Sequence, residues 1–292
     1  FLLCFVLFLM TKNVVAQSTP SIVVSIKPIH SIVTKIMDGV TKPELLLDSN
    51  NSAHTFHLKP SQIKMISNAD LVIVISENFE LGLRKALKNI NEDSYLKISE
   101  LDQLIIHNSR GEAIYDKNED SSKFDFHLWL DVNNMQLIAT YISNIIIELD
   151  PKNEHIYSEN LKEVNLELDE LKEELKQQLA PFSSTPFAIY SDTLQYFEKS
   201  LELKRPVIIT PFHGAGLSIK RTIEAKRKIR DLNISCLIYD TEVKAKQLQV
   251  LAEGLNLKSF KIDILGNEFT TGQDQYFNLM KKTSSQLSLC LK

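Results

Sequence analysis

Short, continuously apolar runs alternate with helical patterns along this chain, and this alternation limits the fold more than any other feature of the sequence. Strands with one face in water alternate apolar and polar residues, whereas parallel strands covered by helices on both faces are apolar throughout. Alternation of such runs with helical segments is typical of α/β proteins. The runs are 22–26, 71–75, 187–190, 207–209, 236–239 and 260–262.

A long amphipathic segment separates the first two runs from the last four. Asp150 can cap a helix, Pro151 suits its first turn, and Pro181 ends it. About thirty residues rising about 1.5 Å each make a rod of roughly 45 Å, so we predict two Rossmann-like lobes with parallel sheets joined by a long rigid helix. The apolar residues recur every three or four positions, at Tyr157, Leu161, Val164, Leu168, Leu171, Leu175 and Leu179.

The chain length agrees with a division into lobes. It has 292 residues, more than one hydrophobic core usually serves. The apolar run 1–10 is too short for a membrane helix and is followed by polar residues and Ala16, so we expect a signal peptide and export to the periplasm. The predicted segments are a signal peptide at 1–16, an N-terminal lobe at 17–150, a linking helix at 151–180 and a C-terminal lobe at 181–292.

Two cysteines remain after the predicted signal peptide, Cys236 and Cys290. An even pair in a compartment that permits disulfides favours a bond between them, with two separate buried thiols as the alternative. Because no cysteine follows Ala16 directly, we expect a soluble periplasmic protein rather than a lipid-anchored one.

The composition argues against several functions. The formal net charge is -4, with 43% hydrophobic and 24% charged residues, and this charge balance gives no basic face that would suggest binding to nucleic acid. The sequence has no G-x-S-x-G, P-loop or H-E-x-x-H motif, and Gly214-Ala215-Gly216 lacks the third glycine of a dinucleotide site. We therefore expect a binding protein and not an enzyme.

Metal-competent side chains follow several of the apolar runs. In α/β lobes ligands bind beyond the carboxyl ends of strands, and imidazole with carboxylate suits zinc and its neighbours. A histidine beside an apolar run can also be purely structural. The candidate positions are His54, His127, Ser191, Asp192, Asp240 and Asp263.

Two segments of the chain carry a family resemblance, residues 51–62 with 68–72, and His127-Leu128-Trp129-Leu130-Asp131. They resemble the first-ligand region and the second-ligand motif of the cluster A-I metal-binding proteins of ABC importers, particularly the zinc-specific ZnuA type. The likeness continues through 149–153, 192–198, 262–266 and 289–291, and so covers nearly the whole chain after the signal peptide.

The resemblance implies a site and a disulfide. His54 and His127 match two histidine ligands of the family, and Asp263 matches the carboxylate that completes the site in several members. Cys236 and Cys290 match a disulfide of zinc-type members. Ser191 stands where the family usually carries a third histidine.

Ser191 leaves open how the site is completed, because a neutral hydroxyl is a poor zinc ligand. Water, Asp192, Asp240 or a displaced histidine are the alternatives. Of the remaining histidines, His57 is expected at the surface or beside the site, His213 in a loop, His30 lining the cleft without binding metal, and His107 and His155 facing solvent.

The resulting hypothesis is capture of a divalent transition metal, with zinc favoured, and its delivery to the membrane permease subunits of an ABC importer by a monomeric protein. Loss of one imidazole makes the site richer in oxygen, so Mn²⁺ or Fe²⁺ is an alternative cargo. A degenerate paralogue acting as an adhesin or interaction protein is a second alternative. A metallohydrolase is a third, although no general base is recognisable.

Overall fold

The computed structural model describes residues 19–48, 53–54, 56–110, 123–210 and 217–292. The predicted signal peptide at 1–16 and His213 lie outside these ranges. No helix within the described ranges is long and apolar enough to cross a membrane.

The N-terminal half contains a parallel sheet of four strands in the order β2-β1-β3-β4. The two central strands are fully buried and rich in β-branched residues, as expected of strands covered on both faces. The strands are β1 Ile22–Val24, β2 Glu44–Leu45, β3 Leu71–Val74 and β4 Tyr95–Lys97, and the helices between them are α1 Lys27–Ile36, α2 Pro60–Asn68 and α3 Arg84–Leu87.

A short antiparallel hairpin follows this sheet. It consists of β5 His107–Asn108 and β6 Phe124–Asp125, with His107 opposite Asp125. A single 3-10 turn at Leu128–Leu130 then leads into α4 Val132–Leu149, whose first turn is capped by the side chain of Asp131.

The C-terminal half contains a second parallel sheet of four strands, in the order β10-β9-β7-β8. The two sheets with their covering helices confirm the predicted α/β class. The strands are β7 Ala188–Ser191, β8 Val207–Thr210, β9 Cys236–Asp240 and β10 Lys258–Ile262. The helices are α6 Gln195–Ser200, α7 Ile219–Asp231, α8 Ala245–Ala252 and α9 Gln275–Leu291.

The predicted linking helix is present as α5 Glu154–Leu179, with a 3-10 turn at each end. Its 26 residues span about 39 Å. Asp150 does not cap a backbone N–H as predicted; its Oδ2 instead accepts hydrogen bonds from Tyr157 and Asn153. All the apolar positions predicted for this helix are buried except Leu161, which is half-buried.

The helix α5 makes polar contacts with both halves of the chain. Glu167 pairs with Lys35 of α1 at 2.6 Å, and Asn160 donates to the carbonyl oxygen of Ile36. Nearer its C-terminal end, Gln178 accepts from Ser284 of α9 at 2.7 Å. The helix α5 therefore contacts helices from both halves of the chain.

The predicted disulfide between Cys236 and Cys290 is confirmed, with Cα atoms 5.1 Å apart. Cys236 begins β9 and Cys290 lies in the last turn of α9, so the bond ties the final helix to the second sheet.

A buried carboxylate shapes the turn after β3. Glu80 Oε2 accepts hydrogen bonds from the backbone N–H groups of Ile75, at 2.8 Å, and Ser76, at 3.1 Å. Burial raises the pKa of Glu80 to about 7, against the lowering effect of its hydrogen bonds. The turn places Phe79, the preceding residue, in the protein interior.

Removing the disulfide should destabilise the protein. The bond joins residues 54 positions apart, and the chain-entropy estimate for such a loop is about 4 kcal/mol of unfolding free energy. We expect urea titration of Cys236→Ala/Cys290→Ala to give a loss of that order. Thiol counting on unreduced, denatured protein without residues 1–16 should find neither cysteine free. Two free thiols would show that the disulfide does not form.

Replacing Glu80 by glutamine should change how stability depends on pH. The pKa of Glu80 is raised on folding, so its contribution is fully present below about pH 4.5 and is lost as the pH rises through about 7. Glu80→Gln keeps a hydrogen-bond acceptor but cannot ionise. Between pH 5 and pH 8 the wild type should lose roughly 1–3 kcal/mol relative to the variant in urea titrations. Parallel pH profiles would contradict this assignment.

Candidate metal centre

Two predicted ligands, His54 and His127, lie next to each other. Their ring centroids are 6.1 Å apart and their planes make an angle of 71°. His54 follows β2 by way of a connecting segment and is half-buried, whereas His127 comes two residues after β6 and is 6% exposed. The fold thus brings together two imidazoles that are 73 positions apart in the sequence.

Asp125 orients the ring of His127. Its Oδ1 lies 2.7 Å from His127 Nδ1 and also accepts the backbone N–H of His127 at 3.0 Å. Burial alone would raise the pKa of Asp125, but the charge and hydrogen bonds of His127, with a hydrogen bond from Gln195, hold it below its ordinary value. In the neutral form of the ring, an ionised Asp125 accepts the proton on Nδ1 and the lone pair lies on Nε2.

Aromatic side chains form a wall behind the two histidines. The Phe79 ring meets His54 edge-on at 4.4 Å and His127 at 5.6 Å between centroids. Trp129 packs 5.5 Å from both Phe79 and His127. Phe79 and Trp129 are 3% and 0% exposed, so the imidazoles lie against a dry surface that limits their rotation.

Trp129 also connects this cluster to the C-terminal half. Its indole Nε1–H donates to the carbonyl oxygen of Ile264 at 2.8 Å, and its own carbonyl accepts from the hydroxyl of Tyr276. Ile264 is the neighbour of Asp263, so the wall behind the histidines touches the segment that carries the predicted carboxylate ligand.

Asp263 follows β10 and holds a turn with its carboxylate. Oδ1 accepts the N–H of Leu265 at 3.1 Å, and Oδ2 accepts those of Asn267 at 2.6 Å and Glu268 at 3.3 Å. Gly266 lies within this turn at a φ of 63°, and a Cβ there would be 2.4 Å from Gln275 Nε2. The turn fixes the direction of the Asp263 side chain.

Ser191 ends β7 and is 2% exposed, and its neighbour Asp192 forms a buried ion pair with Arg110. Arg110 Nε donates to Asp192 Oδ2 at 3.0 Å, and the guanidinium also binds Glu198. Burial raises the pKa of Glu198 to about 7 against the lowering effect of Arg110. Asp192, one of the alternatives for the missing donor, is therefore already engaged by a cation.

Only part of the predicted ligand set comes together. No three His, Cys, Asp or Glu side chains among the described residues lie close enough to hold one metal ion. Asp240, another alternative donor, accepts the N–H of Glu242 through Oδ1 at 2.9 Å.

The remaining described histidines lie apart from this pair. His57 and His155 are exposed. His30 is buried, its Nε2 lies 3.0 Å from the carbonyl oxygen of Pro43, and burial lowers its pKa. His107 does not simply face solvent as expected, because its ring is half-buried and packs on Tyr196 at 4.7 Å.

Asp125 and Phe79 belong to the candidate site but were not predicted from the sequence. An acidic residue two positions before a candidate histidine, as in Asp125-Phe126-His127, is a usable signal for a carboxylate that orients an imidazole. Phe79 gives no such signal, because an aromatic residue after a strand is ordinarily part of the core.

Comparisons with known proteins agree on one family. The family described as "ZnuA: Zinc-uptake complex component A periplasmic" matches residues 22–290. The high-affinity zinc uptake system protein ZnuA of Brucella abortus is 26% identical over 310 residues, covering 94% of this chain and 93% of the relative.

Two solved structures share the fold. A zinc-bound ZnuA deletion mutant superposes with a TM-score of 0.79 at 22% identity, covering 94% of this chain and 99% of the other. The solute-binding protein FpvC of Pseudomonas aeruginosa, in complex with Mn²⁺, gives a TM-score of 0.80 at 14% identity with the same coverage. Since the family match extends over almost the entire described chain, the protein belongs to the ZnuA family of periplasmic zinc-uptake components.

Proposed function

We propose that this protein captures a divalent transition metal, with zinc as the favoured cargo, and delivers it to an ABC importer. The observation that carries the proposal is the pair His54 and His127, 6.1 Å apart, with His127 oriented through Nδ1 by a buried carboxylate. Metal-binding histidines characteristically donate their second ring nitrogen to such a partner. Relatives named as zinc uptake proteins support zinc as the cargo.

The spacing of the two rings suits a shared metal. Two imidazoles bound to one tetrahedral zinc, with Zn–N distances of about 2.0–2.1 Å, have ring centres roughly 5 Å apart. The observed separation exceeds this by about 1 Å, a difference that small side-chain rotations remove. We place Asp263 as the third donor and Ser191 beside it, at the family's ligand position.

The proposed capture involves no chemical reaction. Metal reaches the two imidazoles of the N-terminal lobe, Asp263 of the C-terminal lobe completes its coordination, and release follows at the permease. In this proposal the lobes are 17–150 and 181–292, with 151–180 as the link. Both imidazoles must be neutral to bind, so acidification weakens capture.

Export and partners follow from the same proposal. Residues 1–16 act as a signal peptide, the mature protein works in the periplasm as a monomer, and the membrane permease subunits of the importer receive the metal. The disulfide between Cys236 and Cys290 is compatible with an oxidising compartment.

One observation favours a harder metal as the second candidate. Ser191 and Asp263 offer oxygen rather than nitrogen, and an oxygen-rich site shifts preference toward Mn²⁺ or Fe²⁺. The Mn²⁺ complex of FpvC supports this alternative at the level of fold. If no metal binds, a degenerate paralogue acting as an adhesin or interaction protein becomes the better hypothesis.

Alanine at either histidine should sharply weaken zinc binding. Loss of a residue that merely orients a metal ligand typically lowers affinity 10–100-fold, so loss of an imidazole ligand in His54→Ala or His127→Ala should cost more than about 100-fold. Calorimetric titration of metal-free protein with zinc, and separately with manganese, measures this. His57→Ala and His155→Ala are matched controls, because both histidines are exposed and should leave affinity unchanged.

The outcomes separate the hypotheses. If zinc still binds tightly after both ligand substitutions, the proposed site is wrong. If neither metal binds, the proposed transport function is wrong. Manganese affinity close to zinc affinity would favour the second candidate, because sites of this type ordinarily bind zinc far more tightly than manganese.

Substitutions in the C-terminal half test how the site is completed. Asp263→Asn removes the negative charge while keeping an acceptor for the turn, and we expect zinc affinity to fall about tenfold or more. Ser191→Ala should change it less than about threefold, because a neutral hydroxyl is a weak donor to zinc. Zinc titration of both variants measures these losses of affinity, and melting temperatures confirm that both variants fold. A larger loss in Ser191→Ala would reverse the two assignments.

A further inference from the structure

The first residues of α6 reach from the C-terminal half to the hairpin that carries Asp125. Gln195 Nε2 donates to Asp125 Oδ2 at 3.1 Å and to the carbonyl oxygen of Asn108 at 3.0 Å. The hydroxyl of Tyr196 donates to the carbonyl oxygen of Asp125 at 2.6 Å and accepts the N–H of His107. Gln195 and Tyr196 are 1% and 0% exposed, so these bonds are made out of water.

Asp125 is held from both sides. One carboxylate oxygen faces His127 Nδ1 and the other faces Gln195, which gives a continuous chain from α6 to the imidazole. Rotating the carboxylate away from His127 would also break the bond to Gln195. Hydrogen bonds to an ionised acceptor are among the stronger ones, particularly where the surroundings are buried.

A second contact fixes the same two elements together. Arg110 lies two residues beyond β5. Its guanidinium binds Asp192 and Glu198 of the C-terminal half, which lie before and after Gln195 in the sequence. The Arg110 side chain is 8% exposed. The region of the hairpin that orients His127 is therefore attached to the C-terminal half through Gln195, Tyr196 and Arg110, although the proposed ligand pair belongs to the N-terminal half.

We propose that Gln195 is a positioning residue for His127, acting through Asp125, and that it makes the orientation of this ligand depend on contact between the two halves. The proposal rests on the proposed metal capture. While α6 is docked, Asp125 is fixed and His127 keeps its lone pair on Nε2. Separation of the halves removes the Gln195 bond, frees the Asp125 carboxylate and loosens the ligand.

The chain offers a matched control for this role. Gln178 of α5 also joins two elements through polar contacts, with Ser284 and Ser285 of α9, but it does not contact Asp125 or His127. Gln195→Leu and Gln178→Leu remove the same amide from two such contacts. A purely structural role predicts that the two variants behave alike.

The first measurement needs no metal. In protein labelled with ¹⁵N-histidine at about pH 8, above the ordinary pKa of histidine, long-range ¹H–¹⁵N spectra report the tautomer of each neutral ring. His127→Ala identifies the His127 signal. We expect that signal to show the Nδ1–H form in wild type and Gln178→Leu, and to move toward a mixture of tautomers in Gln195→Leu.

The second measurement is zinc titration. We expect Gln195→Leu to weaken zinc binding about tenfold, within the 10–100-fold range typical of residues that orient metal ligands, and Gln178→Leu to leave it within twofold of wild type. Because Gln195 acts through Asp125, adding Gln195→Leu to Asp125→Ala should bring little further loss. Additive losses in the double variant would overturn the proposal.

The two measurements keep this inference separate from the metal site itself. An unchanged His127 tautomer in folded Gln195→Leu overturns the positioning role, whatever the zinc affinity. A changed tautomer in a protein that binds no metal supports the positioning role and rejects the proposed transport function. Should Asp125→Ala fail to fold, the tautomer comparison of Gln195→Leu with Gln178→Leu still decides.

Discussion

The parallel arrangement of both sheets is the constraint on which the rest of the structure depends. Parallel neighbours cannot be joined by tight turns, so each connection crosses over and the carboxyl ends of all strands in a sheet open at one edge. Ser191 ends one such strand, Asp263 directly follows another, and His54 follows β2 through a longer segment. His127 is the exception, because it comes after the antiparallel hairpin and needs a separate means of orientation. Asp125 supplies it from within the hairpin.

Much of the fold could be predicted from the sequence because its signals are local. Buried strands appear as apolar runs, and α5 appears as a stripe of apolar residues between two prolines. The pairing of Cys236 with Cys290 needed only an even count and a secreted context, and the family resemblance supported it. The proximity of His54 to His127 came from the resemblance alone, because nothing local in the sequence relates two positions so far apart.

The remaining features of the site depend on contacts between distant residues, which periodicity and composition do not encode. Gln195 meets Asp125 across 70 positions, and Arg110 meets Asp192 across 82. From the sequence, Asp192 was an alternative metal donor, but in the folded chain it pairs with the buried Arg110. Phe79 resembled an ordinary core residue, although its ring borders both imidazoles. Such assignments require the tertiary structure because the chemistry of each side chain allows several partners.

The turn around Asp263 determines how this carboxylate can bind metal in the proposed site, where Ser191 replaces the family's third histidine. An ionised carboxylate has about four lone-pair positions, and three are taken here by backbone N–H groups. Oδ2 accepts two of these bonds and Oδ1 only one, so Oδ1 can bind a cation without breaking the turn. Rupture of a hydrogen bond to a charged group would cost about 1.5–3 kcal/mol, roughly ten- to a hundredfold in affinity. In the proposed site, the turn therefore favours metal binding by Asp263 through one oxygen, because a two-oxygen contact would be opposed by the loss of those bonds.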